Sequence, residues 1–362
     1  MHKPAVAVLF GGRSSEHSIS SATAGGVLRA IDRERYRVIP VGITRDGVFV
    51  LEDDDPDKFA LDAAMLPEVV DNNTRIVWPE GGGARELRVR RADGTVEDLG
   101  TVDVVLPILH GLHGEDGTIQ GFLDTLQLPY AGGGVLDSAL CMDKHFMKIA
   151  LQAEGVPVAP WVTVRRARWD VDPEGVRTDA AALGDILFVK PARAGSSVGV
   201  SKVHHLGELD AALALAFAED DKVLIESALV GREIEVAVLE GRGGASARAS
   251  LPGEVVLTTR EFYDFEGKYL GGDGVDVRCP AELEASDIEA IQALGARAFE
   301  AVDGRGLARV DFFLTADGLV VNELNTMPGF TPISMFPKCW IASGMTYAEL
   351  ITELVDTALE RA

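Results

Sequence analysis

Arg309-Val-Asp311-Phe-Phe-Leu-Thr-Ala-Asp-Gly318-Leu-Val-Val-Asn-Glu323-Leu-Asn325 reads as two short apolar strands joined by a tight turn, with polar groups spaced two apart. Side chains alternate faces along a strand, so Arg309 and Asp311 share one face, and Glu323 and Asn325 share one face of the partner. Ala316-Asp317-Gly318 suits a three-residue hairpin loop with glycine in the left-handed position. That loop sets Asp311 opposite Glu323 and Arg309 opposite Asn325. Two carboxylates and an amide oxygen make a hard-oxygen cluster suited to Mg²⁺, which also takes phosphate and water oxygens. The alternative is a solvated hairpin face. Carboxylates set directly opposite each other repel, so a bound cation accounts for the pattern better.

The rest of the chain narrows the partners. Its 57 acidic and 34 basic residues give a net charge of −23 over 362 residues, a surface that repels nucleic acid and anionic lipid. Only nine of the basic residues are lysines, so a lysine inside a motif carries weight. Cys141, Cys279 and Cys339 lie far apart, with neither metal-ligand spacing nor a disulfide framework. No apolar run approaches the length of a membrane span, and Ala5 to Phe10 is too short for a signal-peptide core. A cytoplasmic protein is expected.

Strand and helix signals alternate at the start. Ala5 to Phe10, Arg37 to Ile43 and Val102 to Leu109 read as buried strands, and Glu16 to Ile31 as a helix. This predicts a doubly wound parallel sheet with ligands beyond the carboxyl ends of its strands. Residues 52 to 100 read as a polar elaboration with a hairpin at Leu87 to Val96. One helical stretch is expected from Leu136 to Ala153, then a breaker-rich connection, Gly155 to Pro160. Strands follow at Trp161 to Val164, Ile186 to Lys190, Gly199 to Val203 and Val223 to Ser227. Further strands are expected at Glu233 to Leu239 and Gly253 to Leu257. Ser286 with Glu289, and Thr346 with Glu349, read as helix capping pairs.

Two more segments carry chemistry. Phe188-Val-Lys190-Pro-Ala-Arg-Ala-Gly195-Ser196-Ser197-Val-Gly199-Val is a strand, a small-residue loop and a second strand. Such a loop lets backbone N–H groups and hydroxyls approach phosphate oxygens, with Lys190 in reach. It is not a P-loop, because the Gly-x₄-Gly-Lys-Ser/Thr spacing occurs nowhere. Taken alone it reads equally as a flexible hairpin tip. Val223 to Glu233 reads as a strand peeling into a connector that offers Glu226 to an adenine edge and Glu233 to ribose hydroxyls. Solvated carboxylates at a strand end are the plainer reading of that segment by itself.

Together these features resemble the ATP-grasp superfamily, whose two α+β lobes clamp ATP. Four spaced stretches resemble one family within it, the D-alanine–D-alanine ligases. They are Gly11-Gly12-Arg-Ser-Ser-Glu16-His-Ser-Ile-Ser20, His110-Gly-Leu-His113-Gly-Glu115-Asp116-Gly117, Lys190 to Val200, and Asn322-Glu323-Leu-Asn325-Thr-Met-Pro-Gly329-Phe-Thr. The resemblance spans the chain apart from residues 52 to 100. It implies an N-terminal α/β substrate domain over 1–138, a central lobe over 139–230, and a C-terminal lobe over 231–362 with the metal site and a lid. The implied reaction phosphorylates one D-alanine with ATP and joins it to a second through an acyl phosphate, supplying cell-wall peptidoglycan precursor.

The resemblance also implies roles. Asp311, Glu323 and Asn325 match positions holding two Mg²⁺, replaceable by Mn²⁺. Lys144 and Lys190 match ATP-phosphate lysines, with Ser197 in the phosphate loop, and Glu226, Leu229 and Glu233 match adenine and ribose contacts. Arg309 and the Gly329 N–H match oxyanion donors. Glu16 matches the acid that meets the first substrate's ammonium, and His110 a substrate-side group. Ser334 and Met335 match holders of the second substrate's carboxylate. On Glu261 to Gly272, Lys268 and Tyr269 match a lid pair, with Tyr269 reaching Ser196 and Glu16. A homodimer is implied as well. A dinucleotide-binding dehydrogenase is disfavoured, since Gly11-Gly12 lacks the G-x-G-x-x-G spacing.

Overall fold

The computed structural model describes residues 3–60, 66–257 and 275–361. In chain order its strands are β1 (Ala5–Gly11), β2 (Arg37–Ile43), β3 (Phe49–Leu51), β4 (Arg75–Val77), β5 (Glu86–Arg90), β6 (Val96–Thr101), β7 (Val104–Ile108), β8 (Trp161–Arg165) and β9 (Leu187–Pro191). After these come β10 (Ser201–Val203), β11 (Lys222–Ser227), β12 (Gly231–Leu239), β13 (Arg248–Ala249), β14 (Gly253–Leu257), β15 (Val275–Arg278), β16 (Leu307–Thr315) and β17 (Gly318–Asn325).

The first sheet has the order β3-β2-β1-β7, with β1 parallel to both β2 and β7. Alternate residues of β1 serve two cores, because a parallel strand is covered on both faces. Val6, Val8 and Phe10 pack with Ala24, Val27 and Leu28 of the helix His17–Ala30. Ala5, Ala7 and Leu9 pack with Ile119 and Leu123 of the helix Thr118–Thr125. The first of these cores continues into the C-terminal helices Met335–Ala342 and Tyr347–Glu360 through Phe336, Trp340, Leu350 and Leu354. The two ends of the chain therefore share one apolar cluster.

Two antiparallel sheets follow. The smaller runs β10-β9-β11-β8 and packs on the helix Leu209–Glu219. The larger runs β15-β14-β12-β16-β17, with β13 beside β12, and packs on the helix Ala285–Ala301. These are the two expected α+β lobes. A division between residues 138 and 139 cuts the helix Val135–Met142, and one between 230 and 231 falls just before β12.

Several local expectations change. The stretch from Leu136 to Ala153 is two helices, Val135–Met142 and Lys144–Ala153, broken at the extended residue Asp143. The Asp143 carboxylate accepts from the N–H groups of His145 and Phe146, so an N-cap ends one helix and starts the next. Ser286 and Glu289 make no capping box, since that helix begins at Ala285 after an uncapped Glu284. Thr346 and Glu349 do form theirs. Residues 75 to 101 hold a three-stranded sheet, β4-β5-β6, in which alternation buries Leu87 and Val89.

The hairpin reaches its expected register by a different route. Its turn holds only Ala316 and Asp317, and Thr315 pairs with Gly318, whose φ is +125°. A two-residue turn alone would set Asp311 opposite Asn322. A bulge at Asn322 absorbs one residue, which restores Asp311 opposite Glu323 and Arg309 opposite Asn325.

Candidate active site

Between the two lobes lies a chamber of about 370 Å³ lined by Lys144, Lys190, Ser197, Glu226, Leu229, Glu233, Asp311 and Glu323. A polar chamber of about 70 Å³ adjoins it, lined by Glu16, His110, Glu115, Arg309, Asn325 and Gly329. Lys144, Ser196 and Glu323 line both, so the two are one cleft. The larger is of ligand-pocket size.

Each lysine is placed by its element. The break at Asp143 makes Lys144 the first residue of its helix, and its Nζ donates to Ala194 O at 2.9 Å and lies 3.6 Å from Glu323 Oε2. Lys190 lies on β9, with Nζ 2.8 Å from Glu226 Oε2 and 3.2 Å from Asn322 Oδ1. Burial opposes the Lys190 charge, but Glu226 outweighs it and the pKa is raised. Burial likewise works against the Glu226 carboxylate, yet Lys190 and Lys148 hold its pKa below the usual value. The loop after β9 places Ser196 and Ser197 at φ +49° and +59°. Two successive non-glycine residues in the left-handed region are uncommon, and such outliers gather at ligand sites.

At the smaller chamber, Gly11 and Gly12 turn the chain out of β1 at φ +90° and +95°. A Cβ on Gly11 would stand 2.4 Å from Ile43 O, so only glycine fits there. The turn delivers Glu16, which is 6% exposed, to the start of the helix His17–Ala30. Ser196 Oγ donates to Glu16 Oε1 at 2.7 Å, joining the central lobe to the N-terminal sheet. His110 follows β7, and its Nδ1 donates to Met327 O at 3.0 Å. That fixes the tautomer, so Nε2 is the ring's acceptor. It is buried and has no hydrogen-bond partner among the described residues. Burial lowers the His110 pKa, with Glu16 pulling the other way. Glu115 accepts from Gly111 N–H at 2.7 Å, and desolvation, then the charge of Glu16, pushes its pKa up to about 8.

The larger sheet presents a row of three acids, Glu235, Asp311 and Glu323, on neighbouring strands β12, β16 and β17. Arg309 offsets part of their repulsion. Its Nε and Nη2 each donate to Asp311 at 2.7 Å, and Nε lies 3.0 Å from Glu235 Oε2. Burial opposes that charge, but Asp311 and Glu235 hold its pKa well above the usual value. Asn325 Nδ2 donates to Asp311 Oδ2 at 3.1 Å, which leaves the amide oxygen for a cation. Among the described residues no group of three or more His, Cys, Asp or Glu is disposed to hold a metal by itself. Asp311, Glu323 and Asn325 are too few donors for a closed protein cage. They fit Mg²⁺ chemistry, in which substrate phosphates and water complete the shell.

Comparison with known proteins assigns the family. Residues 5–133 match the family model described as D-ala D-ala ligase N-terminus, and residues 150–356 match D-ala D-ala ligase C-terminus. The chain belongs to the D-alanine–D-alanine ligase family. A D-alanine–D-alanine ligase of Arthrobacter sp. (strain FB24) is 52% identical over 99% of this chain and 95% of its own length. One of Streptomyces avermitilis is 47% identical over 99% of this chain and 95% of its own length. Among solved structures, the D-alanine-D-alanine ligase from Coxiella burnetii superposes with a TM-score of 0.82 at 34% identity, covering 100% of this chain and 95% of that one. The VanG D-Ala:D-Ser ligase from Enterococcus faecalis gives 0.84 at 31% identity, covering 99% and 100%.

Of the residues the family resemblance singled out, most stand around the cleft. Ser334 and Met335 do not line either chamber. Ser334 precedes the helix Met335–Ala342 with its hydroxyl 2.7 Å from Thr331 Oγ1, and Met335 is buried in the core. Lys268 and Tyr269 lie outside the described residues. Sequence reading missed Asn322, Glu235 and Lys148. Asn322 heads a quoted family stretch, but its place beside Lys190 depends on the bulge. Glu235 lies two residues after Glu233 on the same face of β12, and Lys148 falls four residues after Lys144, one turn along the same helix face.

Proposed function

We infer that this chain is an ATP-dependent ligase that joins two D-alanine molecules into D-alanyl-D-alanine for peptidoglycan synthesis. The observation that carries the reading is the shared wall of the two chambers. Lys144 and Ser196 stand between a nucleotide-sized space and a small polar space that holds Glu16, His110 and Arg309.

The residues divide the work as follows. Glu226, Leu229 and Glu233 take the adenosine, while Lys144, Lys190 and the Ser196–Ser197 loop take the phosphates. Glu16 draws the ammonium of the first D-alanine and turns its carboxylate toward the transferable phosphoryl group. Neutral His110 accepts from a substrate N–H through Nε2. The second D-alanine's amine then attacks the acyl phosphate, and phosphate leaves. Arg309 and the Gly329 N–H stabilise the oxyanion of that step, a contribution worth about 10²–10³ in rate for one such donor. Asp311, Glu323 and Asn325 would hold two Mg²⁺, which neutralise charge on the phosphate oxygens when bound. A cytoplasmic homodimer completes the reading. No helix among the described residues is long and apolar enough to cross a membrane.

The test is phosphate release by purified protein given ATP, Mg²⁺ and single amino acids. D-Alanine is expected to support turnover, and L-alanine is not. Equal turnover with L-alanine alone would remove the stereochemical claim. Adding D-serine or D-lactate beside D-alanine, with product identified by mass, defines the second substrate.

A further inference from the structure

Lys148 has no part in the chemistry above, yet its side chain is only 1% exposed. It stands behind the wall of the larger chamber, on the same helix as Lys144. Its Nζ lies 3.1 Å from Glu226 Oε1, donates to Ala159 O at 3.2 Å, and sits 5.5 Å from the centre of the Trp161 ring. The other oxygen of Glu226 is 2.8 Å from Lys190 Nζ. One buried carboxylate is therefore bracketed by two ammonium groups, one behind the wall and one lining the chamber.

Charge balance does not require this arrangement. Lys190 alone neutralises Glu226, and burying a second ammonium is costly. A leucine or methionine would fill the same space without that cost. The second lysine makes sense if the first partnership is temporary. When Lys190 turns toward a nucleotide phosphate, Glu226 would be left as a lone buried carboxylate. It would then either take up a proton or hold Lys190 back.

We propose that Lys148 is a positioning residue, the permanent counter-ion of Glu226, and that it frees Lys190 to exchange Glu226 for a nucleotide phosphate. Lys148 keeps Glu226 ionised and fixed at the adenine end throughout that exchange. Asn322 Oδ1, 3.2 Å from Lys190 Nζ, is a neutral acceptor that releases the ammonium more readily than a carboxylate does. The proposal rests on the ATP reading of this chamber and adds a division of labour between two lysines.

The test compares Lys148→Met and Lys148→Arg with the parent enzyme. The readouts are KM for ATP and for D-alanine, kcat, melting temperature, and calorimetric binding of a non-hydrolysable ATP analogue and of inorganic tripolyphosphate. Lys148→Met is expected to weaken the analogue and tripolyphosphate and to raise the ATP KM by about 10–100-fold, the range for leaving a buried charged group without its partner. The D-alanine KM should stay within about twofold, and Lys148→Arg should recover most of the loss. A folded Lys148→Met with unchanged ATP KM overturns the proposal. So does an equal rise in both KM values, which a purely structural role would give. If Lys148→Met does not fold, Lys148→Gln, which keeps a donor for Ala159 O without the charge, is read by the same criteria. Failure of the parent itself to bind the ATP analogue would instead remove the nucleotide reading of the cleft.

Discussion

Arg309→Lys separates the two tasks given to Arg309. The guanidinium makes two parallel bonds of 2.7 Å to Asp311 and a third contact of 3.0 Å to Glu235, and Arg309 also lines the small chamber. Lysine keeps the charge between the two acids but has neither the fork nor the reach. Losing one of two charge-assisted bonds costs about 1.5–3 kcal/mol of stability, since one ammonium still faces the carboxylates. Catalysis should fall further. With the Arg309 donor lost from the chamber, kcat is expected to drop about 10²–10³-fold, or about 2.7–4 kcal/mol of transition-state stabilisation. KM for ATP should barely move, because Arg309 does not line the nucleotide chamber. Phosphate release at saturating ATP and D-alanine measures kcat, and urea unfolding measures the stability change. A variant that unfolds like the parent and turns over within about fivefold of it would refute the oxyanion assignment, since a lost donor costs at least about 10².

Two further outcomes follow from the same cleft. Glu323→Gln should abolish turnover and weaken Mn²⁺ binding in the presence of ADP, read by electron paramagnetic resonance, with the circular dichroism spectrum unchanged; near-normal turnover at saturating Mg²⁺ would count against the acid row as the metal site. The Glu115 carboxyl, raised from about 4.5 to about 8, binds its proton more tightly folded than unfolded. Its share of stability is therefore complete below about pH 4.5 and lost as pH rises through about 8. Glu115→Gln, which still accepts from Gly111 N–H, should flatten the fall in melting temperature across that window, and an unaltered slope would reject the raised value.

Much of this molecule is legible from its residues because the relevant signals are local. The parallel strands announce themselves as continuous apolar runs, and Arg37 to Ile43 there, like Gly253 to Leu257 in the larger antiparallel sheet, is observed with the expected bounds. The capping pair Thr346–Glu349 is likewise a matter of four adjacent residues. What stayed hidden depends on partners distant in sequence. Asp143 breaks a helix that propensity would continue, and its carboxylate also pairs with Lys222. Glu226 read as an adenine contact, and nothing local shows it held between Lys148 and Lys190. The acid row needs strand β12, more than 70 residues before β16. Register was foreseen, but through compensating errors: one residue too many in the turn and none in the bulge.

That compensation has a consequence for anyone re-engineering the hairpin. Because the irregularity at Asn322 sets the phase of the inner rungs, the tip at Ala316 and Asp317 is decoupled from the chemistry and is exposed to solvent. Length changes there leave Asp311 facing Glu323 as long as the rungs from Phe312 to Leu314 persist. Removing one residue near position 322 instead slides every inner side chain by one place and turns the acids away from each other. The safe place for a reporter peptide is thus a few rungs from a position that tolerates no deletion.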